Sequence, residues 1–181
     1  MAISPRETEP AVKDQKGVKV MRAITIQCPA DALYSFWRQV ENLPLIMHHL
    51  VSVKQISARE SHWVAKAPMG KTVEWDAEII NETQGRMIAW RTKEGETPAH
   101  AGTVRFDPAP GNQGTEVRVT LEYDPPGGKL GALVAKLFGE EPAEQISDDL
   151  HRLKALLETG VIPTTKGQPV GCKQKEKNKQ S

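Results

Sequence analysis

Five histidines are the side chains of this 181-residue sequence best suited to acid–base or metal chemistry, because imidazole titrates near neutral pH. His48 and His49 are adjacent, so their rings do not converge readily on one metal ion, and no cysteine or carboxylate stands at the spacing of a zinc or facial-triad site. His100 shares strand parity with Val104 and Phe106, so it can face inward. We therefore expect no metal site, and His49 and His100 are the candidates for proton transfer.

Three carboxylates, those of Glu74, Asp76 and Glu78, stand at alternate positions like an acidic catalytic cluster. Strand geometry places them on the face opposite Trp75, where water screens like charges, so they are interpreted as a solvated outer face. The sequence also contains no dinucleotide-binding glycine motif, no P-loop pattern and no serine in a nucleophile-elbow setting. No cofactor and no catalytic nucleophile are therefore predicted.

An amphipathic segment at 128–159 is the element around which the rest of the chain is organised. Its large apolar residues recur at three- and four-residue steps, which gather them on one face of an α-helix. They are Leu130, Leu133, Val134, Leu137, Phe138, Ile146, Leu150, Leu153 and Leu157. Pro142 removes a backbone donor and is expected to kink or restart the helix. Burying one Leu or Phe is worth roughly 1.5–3 kcal/mol, so this face must pack onto another element.

Seven stretches of alternating apolar and polar residues predict the β-strands that receive this helix. They are Val18–Ile26, His49–Ile56, Ser61–Ala67, Thr72–Ile80, Arg86–Thr92, Ala99–Phe106 and Thr115–Tyr123. Two short helices, from Ala30 or Asp31 and from Glu41, follow the first strand, and Pro44 prevents a single long helix. Consecutive strands with short turns form an antiparallel meander with one dry face. The prediction is an α+β fold in which a long C-terminal helix covers a curved, seven-stranded antiparallel sheet.

The composition is that of one domain with polar ends. Residues 1–16 and 161–181 are poor in apolar groups and are expected to be a disordered arm and a disordered tail, leaving one domain at 17–160. Lysine and arginine together number 24 and aspartate and glutamate 23, so the net charge of +1 predicts no nucleic-acid partner.

The expected location is the cytoplasm. The N-terminal residues lack the apolar core of a signal peptide, and no apolar run approaches the ~20 residues that cross a bilayer. The two cysteines, Cys28 and Cys172, are expected to be reduced thiols rather than a disulfide framework.

The order of elements and several motifs resemble the helix-grip or START-like (SRPBCC) superfamily, in its polyketide cyclase/dehydrase and lipid-transport branch, which also includes coenzyme Q-binding proteins. Phe36 and Trp37 precede a Glu-Asn-Leu-Pro motif that ends at Pro44, and a Trp-x-Ala-x-Ile motif runs from Trp75 to Ile79. Further segments carry the likeness: 36–53, 61–79, 88–92, 114–128 and 130–142. The resemblance implies a hydrophobic small molecule held between sheet and helix, with catalysis in a minority of members.

Strand parity, carried onto this resemblance, predicts the residues of a ligand cavity. The predicted wall consists of Trp37, Met47, His49, Trp63, Ala65, Trp75, Ala77, Ile79, Trp90, Thr92, His100, Val104, Phe106, Val117 and Val119, and the predicted cover consists of Val134, Leu137, Phe138 and Ile146. A filled core is the alternative for each tryptophan, because large aromatic side chains usually serve as core mass. Ala65 and Ala77 either interdigitate with the rings or leave a void, and the sequence leaves both open.

The leading functional hypothesis is a module that binds or transports a small hydrophobic or aromatic ligand, such as a lipid, a quinone or a polyketide-like molecule. His49, His100, Thr92 and Tyr123 are the polar groups expected to orient it. The alternative is a polyketide cyclase or dehydratase in which His49 and His100 carry protons. A third reading is a chaperone that contacts a membrane or a partner protein, for which the Lys-rich tail is the only signal. The ligand's identity and the oligomeric state are left open.

Overall fold

The computed structural model describes residues 18–96, 98–123 and 142–160. Within these ranges there are seven strands and two α-helices. They are β1 Val18–Ile26, α1 Ala30–Arg38, β2 Leu50–Gln55, β3 Glu60–Lys66, β4 Thr72–Thr83, β5 Met87–Thr92, β6 His100–Pro108, β7 Thr115–Tyr123 and α2 Pro142–Thr159. Short 3₁₀ segments lie at Val40–Leu45, Pro68–Gly70 and Pro110–Asn112.

The strands form one antiparallel sheet in the order β1-β7-β6-β5-β4-β3-β2. Strands β2 to β7 follow the chain as a meander, and β1 pairs with β7 along its whole length, from Val18 opposite Tyr123 to Ile26 opposite Thr115. The alternation read from the sequence matches the observed faces on β4, where Trp75 and Ala77 are buried and Glu74 is exposed. The predicted helix-grip fold is confirmed.

Two predicted boundaries differ from the observed elements. Strand β4 continues to Thr83, beyond the predicted end at Ile80, because the ladder with β5 resumes after a bulge between Ile79 and Asn81. The second short helix is a 3₁₀ segment that contains Pro44, which lacks the N–H of a regular α-helical hydrogen bond.

Helix α2 spans Pro142–Thr159 in the described part of the chain, with proline in its first turn, where it is tolerated. The kink or restart predicted at Pro142 also involves the preceding residues, which lie outside the described ranges. Its apolar face, with Leu150, Leu153, Leu156 and Leu157 buried, packs into the same core as the sheet. The rest of the predicted amphipathic segment, 128–141, lies outside the described residues.

Polar contacts fix α2 against the end of β1. The Lys154 ammonium donates to the carbonyl of Thr25 at 2.8 Å, and the backbone N–H of Gln27 donates to Glu158 Oε1 at 2.8 Å. Lys154 also pairs with Glu158 one turn later on the helix. These contacts set the rotation of α2, and hence which of its side chains face the sheet.

Cys28, just after β1, is disulfide-bonded, so the expectation of a reduced thiol at this position is wrong, and the cytoplasmic assignment loses that support. Cys172 and the predicted arm and tail lie outside the described residues. Among the helices that are described, none combines the length and the apolar character needed to span a bilayer.

Candidate ligand-binding site

A cavity of about 100 Å³ lies between the sheet, the segment from α1 to the 3₁₀ turn, and the first two turns of α2. Its wall is mainly apolar, with a few polar groups. The lining residues are Trp37, Arg38, Val40, Leu43, Met47, His49, Leu50, Ser61, Trp63, Trp75, Ala77, Glu78, Ile79, Ile88, Trp90, His100, Val119, Leu121, Pro142, Gln145, Ile146 and Asp149. Such a concave, apolar surface with few polar groups has the character of a small-molecule site.

Two tryptophans stack on the sheet side of the cavity. Trp63 and Trp75 are cross-strand partners on β3 and β4, and their ring centroids lie 6.0 Å apart at an interplanar angle of 18°. The Trp63 indole N–H donates to Ser61 Oγ at 2.8 Å, which fixes its ring. The Trp75 Nε1 atom is buried and has no hydrogen-bond partner within the described residues. The pair forms a flat aromatic panel on the cavity wall.

His100 is held rigidly at the start of β6. Its Nδ1 lies 3.0 Å from the carbonyl of Pro98 and 2.9 Å from Thr92 Oγ1. Because a carbonyl oxygen can only accept, the proton of the neutral ring is assigned to Nδ1, and the lone pair is on Nε2. Burial lowers the pKa of His100 to about 4, against a smaller raising effect of the bond to Pro98, so the ring is neutral at physiological pH. Its ring meets Trp75 edge to face at 5.5 Å.

His49 carries the opposite tautomer. The side-chain amide of Gln145 donates to His49 Nδ1, so the ring proton is assigned to Nε2. Burial, followed by the charges of Lys66 and Arg152, lowers the pKa of His49 to about 4. His49 is therefore a neutral hydrogen-bond donor on the cavity wall.

Asp149 places a carboxyl group on the same part of the wall. It is only 6% exposed, and its Oδ1 accepts a hydrogen bond from Arg152 Nη1 at 2.8 Å. Arg152 Nη1 also donates to the carbonyl of Ile46 at 3.3 Å, which ties α2 to the turn before β2. Burial raises the pKa of Asp149 to about 7, Arg152 opposes this and Asp148 adds to it. The carboxyl thus changes its charge near neutral pH.

Most of the predicted ligand contacts lie on the cavity wall. These are Trp37, Met47, His49, Trp63, Trp75, Ala77, Ile79, Trp90, His100, Val119 and Ile146. Thr92 lies behind His100 and positions its ring, while Tyr123 is half-buried and does not line the cavity. Val134, Leu137 and Phe138 lie outside the described residues. That the wall residues contact a ligand stays a prediction.

Four predicted wall residues, Ala65, Val104, Phe106 and Val117, lie in the core instead. The Phe106 ring packs edge-on against Tyr34 and Trp37 at centroid distances of 6.2 and 6.5 Å, so α1 fills the space next to it. The two alanines left open by the sequence thus behave differently, since Ala65 is fully buried and Ala77 borders the void.

Several polar wall residues were missed by the sequence reading. Ser61 shares strand parity with Trp63, which could have marked it as inward-facing. Asp149 stands three residues after Ile146 and directly before Leu150, so it is a charged residue on an apolar helix face, and this irregularity was the available signal. Gln145 gave no comparable signal. Its contact with His49 spans 96 residues of sequence.

Arg38 lines the cavity at the end of α1, and its guanidinium is anchored outside it. Arg38 Nε lies 2.7 Å from Glu82 Oε1, and Nη2 donates to the carbonyl of Ala58 at 2.6 Å. The Tyr34 hydroxyl donates to the same carboxylate, and burial together with Glu82 raises the pKa of Tyr34 to about 12. This network attaches α1 to β4 and fixes the neighbouring Trp37.

The outer face of the sheet carries the predicted carboxylates. His62 Nδ1 lies 2.7 Å from Asp76 and Nε2 lies 3.5 Å from Glu74, while Glu78 pairs with Arg91 at 2.8 Å. Glu78 also borders the cavity, next to the bulge of β4. Within the described ranges no group of three or more His, Cys, Asp or Glu side chains could hold a metal ion.

The fold and the cavity define a helix-grip protein with an internal cavity between sheet and helix. The sequence model of the family described as "Polyketide cyclase / dehydrase and lipid transport" matches residues 26–151. The chain belongs to this family.

Three relatives illustrate the range of similarity. A crystal structure of the protein DR_A0006 from Deinococcus radiodurans is 40% identical with a TM-score of 0.65, covering 80% of this chain and 100% of that one. An uncharacterized 17.2 kDa protein from the melC2-rnhH intergenic region of Streptomyces lincolnensis is 29% identical over 146 residues, 77% of this chain and 89% of that protein. The di-domain ARO/CYC StfQ of the steffimycin biosynthetic pathway is 14% identical with a TM-score of 0.59, covering 80% of this chain and 53% of StfQ, which shows a shared fold only.

Proposed function

We propose that this protein binds a small aromatic or hydrophobic molecule in the cavity between the sheet and α2. The observation that carries the proposal is the cavity itself, walled by Trp37, Trp63, Trp75 and Trp90 and left unfilled beside Ala77. Family membership supports it, since the family description includes lipid transport.

The size and chemistry of the cavity favour a planar ring. An apolar cavity of roughly 150 Å³ admits benzene, so a space of this order accommodates one ring of a ligand. The stacked Trp63 and Trp75 rings offer a flat surface with which an aromatic ring makes offset-stacked or edge-to-face contact. A quinone or polyketide-like ring therefore fits the described space better than an unbranched acyl chain.

The proposal is tested with a variant whose larger side chain fills the cavity. The variant Ala77→Leu adds three carbon atoms at the wall, and Ala155→Leu makes the same change at an exposed site on α2. Binding is measured by native mass spectrometry of co-purified molecules and by thermal shift across a library of quinones, phenols and polyketide-like aromatics. We expect wild type and Ala155→Leu to bind the same compounds, and Ala77→Leu to lose them while staying folded.

A result with no co-purified ligand and no thermal shift for wild type would contradict the proposal. So would unchanged binding in Ala77→Leu, because the ligand would then lie elsewhere. Circular dichroism and thermal unfolding of Ala77→Leu separate loss of the cavity from loss of the fold.

The second candidate is a cyclase or dehydratase acting in the same cavity, and the two histidine tautomers favour it. His100 carries its lone pair on Nε2 and suits a base, and the neutral His49 N–H can hydrogen-bond to a departing oxygen. The proton for that oxygen would come from Asp149, whose pKa is about 7. In a dehydration the base removes a proton from carbon, the acid protonates the departing hydroxyl, a C=C bond forms and water leaves.

Turnover separates this candidate from a pure binding role. A β-hydroxyketone analogue of a polyketide is incubated with wild type, His100→Ala and His49→Gln, and the conjugated product is followed by absorbance. Turnover that both substitutions abolish, with ring binding retained, would establish the enzyme. A wild-type protein that is inactive but still binds the ring would favour the pure binding role over the enzyme.

A further inference from the structure

The cavity has one polar end, built by the first two turns of α2 and the turn before β2. Gln145 and Asp149 lie on the same wall, one helical turn apart, which places their Cβ atoms about 5–6 Å from each other. Gln145 contacts His49, and Arg152 contacts the carbonyl of Ile46. These two bonds hold helix and turn together, and both His49 and Asp149 line the cavity.

Asp149 has hydrogen-bonding capacity that the protein does not use. Oδ1 accepts from Arg152, whereas no bond to Oδ2 is found in the described part of the chain. Asp149 is only 6% exposed and lines the cavity, so its carboxyl group is presented to a molecule in the cavity. A ligand group that donates to Oδ2 takes the place of water at this oxygen.

His49 supplies the complementary group. Its Nδ1 is occupied by the Gln145 amide, so the proton stands on Nε2, and no hydrogen bond from Nε2 is present within the described ranges. The polar end therefore offers one acceptor, on Asp149, and one donor, on His49. The aromatic panel of Trp63 and Trp75 belongs to the same cavity.

We propose that Asp149 and His49 together select a ring that bears a hydroxyl group, a phenol or an enol, whose O–H donates to Asp149 Oδ2 and whose oxygen accepts from His49 Nε2. This inference rests on the proposed function and adds the polar group of the ligand. A single hydroxyl both donates and accepts, which matches the pair. Above pH 7, where Asp149 is ionised, a carboxylate ligand cannot donate to it and meets it as a like charge, and an ammonium cannot accept from His49.

The experiment compares p-cresol with p-xylene, which differ only by a hydroxyl in place of a methyl group, and adds p-toluate as an anionic probe. Dissociation constants come from NMR titration of the backbone and indole N–H signals. In a purely apolar cavity the methyl compound binds tighter, by about tenfold, because an unpaired hydroxyl is costly to bury. We expect wild type to bind p-cresol at least as tightly as p-xylene, and p-toluate more weakly than both.

Matched variants assign the preference to its residues. Asp149→Leu and His49→Phe should each weaken p-cresol relative to p-xylene by about tenfold. Glu144→Leu and His48→Phe make comparable changes at exposed positions and should leave the ratio unchanged.

Failure of hydroxyl selection and failure of ring binding give different results with these probes. If p-xylene binds to the cavity and wild type prefers it over p-cresol, the inference is wrong and the proposed function stands. If Asp149→Leu and His49→Phe weaken both probes equally, the pair does not read the hydroxyl and the inference is again wrong. If neither probe perturbs the cavity signals, both the inference and ring binding are overturned.

Discussion

Gly102 on β6 lies directly opposite Trp90 on β5, and the indole ring of Trp90 covers the glycine. A Cβ atom at Gly102 would come within 2.3 Å of Trp90 Cζ2 and 2.7 Å of Cε2, closer than non-bonded carbon atoms approach. The missing side chain therefore makes the space in which the Trp90 ring rests. Since Trp90 lines the cavity, a residue that touches no ligand sets the shape of the wall.

The variant Gly102→Ala should displace the Trp90 ring and destabilise the protein by about 1–3 kcal/mol, the usual cost of overpacking. Urea unfolding and indole N–H chemical shifts measure the two effects. In a Trp90→Leu background the ring atoms that collide are absent, so Gly102→Ala should cost much less. An equal cost in both backgrounds would show that the Trp90 ring is not what demands glycine at position 102.

Acidification should destabilise the protein through its buried neutral histidines. The pKa of His100 is about 4 in the folded chain and 6.5 unfolded, so between these values the unfolded chain takes up a proton that the folded chain excludes. The contribution of the neutral His100 ring to the free energy of unfolding is fully present above pH 6.5. It is lost as the pH falls towards 4, and for such a shift it is on the order of 3 kcal/mol. Urea unfolding of wild type and His100→Gln between pH 4 and 7 measures it.

His100→Gln should reduce the slope of stability against pH, because the substituted side chain does not titrate. His49, whose pKa is also lowered to about 4, contributes a second component of the same sign. Identical slopes for wild type and His100→Gln would refute a buried neutral ring.

Asp149 should act in the opposite direction. Its pKa is raised from 3.8 to about 7, mainly by burial, so the folded chain holds a proton that the unfolded chain has released. This contribution to stability is present below pH 4 and is lost as pH rises towards 7. The variant Asp149→Asn keeps the shape without the charge, so its stability relative to wild type should increase over that window and level off above pH 7.

A second variant, Asp148→Asn, removes the neighbouring charge that adds to the raised pKa of Asp149. It should lower the pKa of Asp149 and so move the loss of stability to lower pH. The facing charge is that of Arg152, so a relative stability of Asp149→Asn that falls with pH would mean that the ion pair outweighs burial.

The two stacked tryptophans should respond differently to loss of the indole nitrogen. Trp75→Phe removes a buried N–H that has no partner in the described residues. Removing the cost of this unsatisfied group offsets the packing lost with the smaller ring, so we expect a free energy of unfolding within about 1 kcal/mol of wild type. Trp63→Phe instead removes the bond to Ser61 and leaves its hydroxyl without that donor. Thermal unfolding of both variants gives the comparison. A much larger loss for Trp75→Phe would show that the N–H is satisfied in solution.

Local patterns in the sequence were sufficient for the elements and their faces. Alternation predicted the bounds of β7 and placed Trp75 and Ala77 on the buried face of β4, although Thr120, on the predicted outer side of β7, is buried. The inward position of His100 followed from the same two-residue period.

The tertiary structure alone decided which inward residues border empty space and which polar groups meet there. Phe106 and Ala77 have the same local pattern, yet α1 fills the space at one and leaves it open at the other. The polar end joins His49 to Gln145 across 96 residues, and Arg152 to Ile46 across 106. Periodicity reports which way a side chain points relative to its own backbone, whereas a cavity depends on what another element places opposite it.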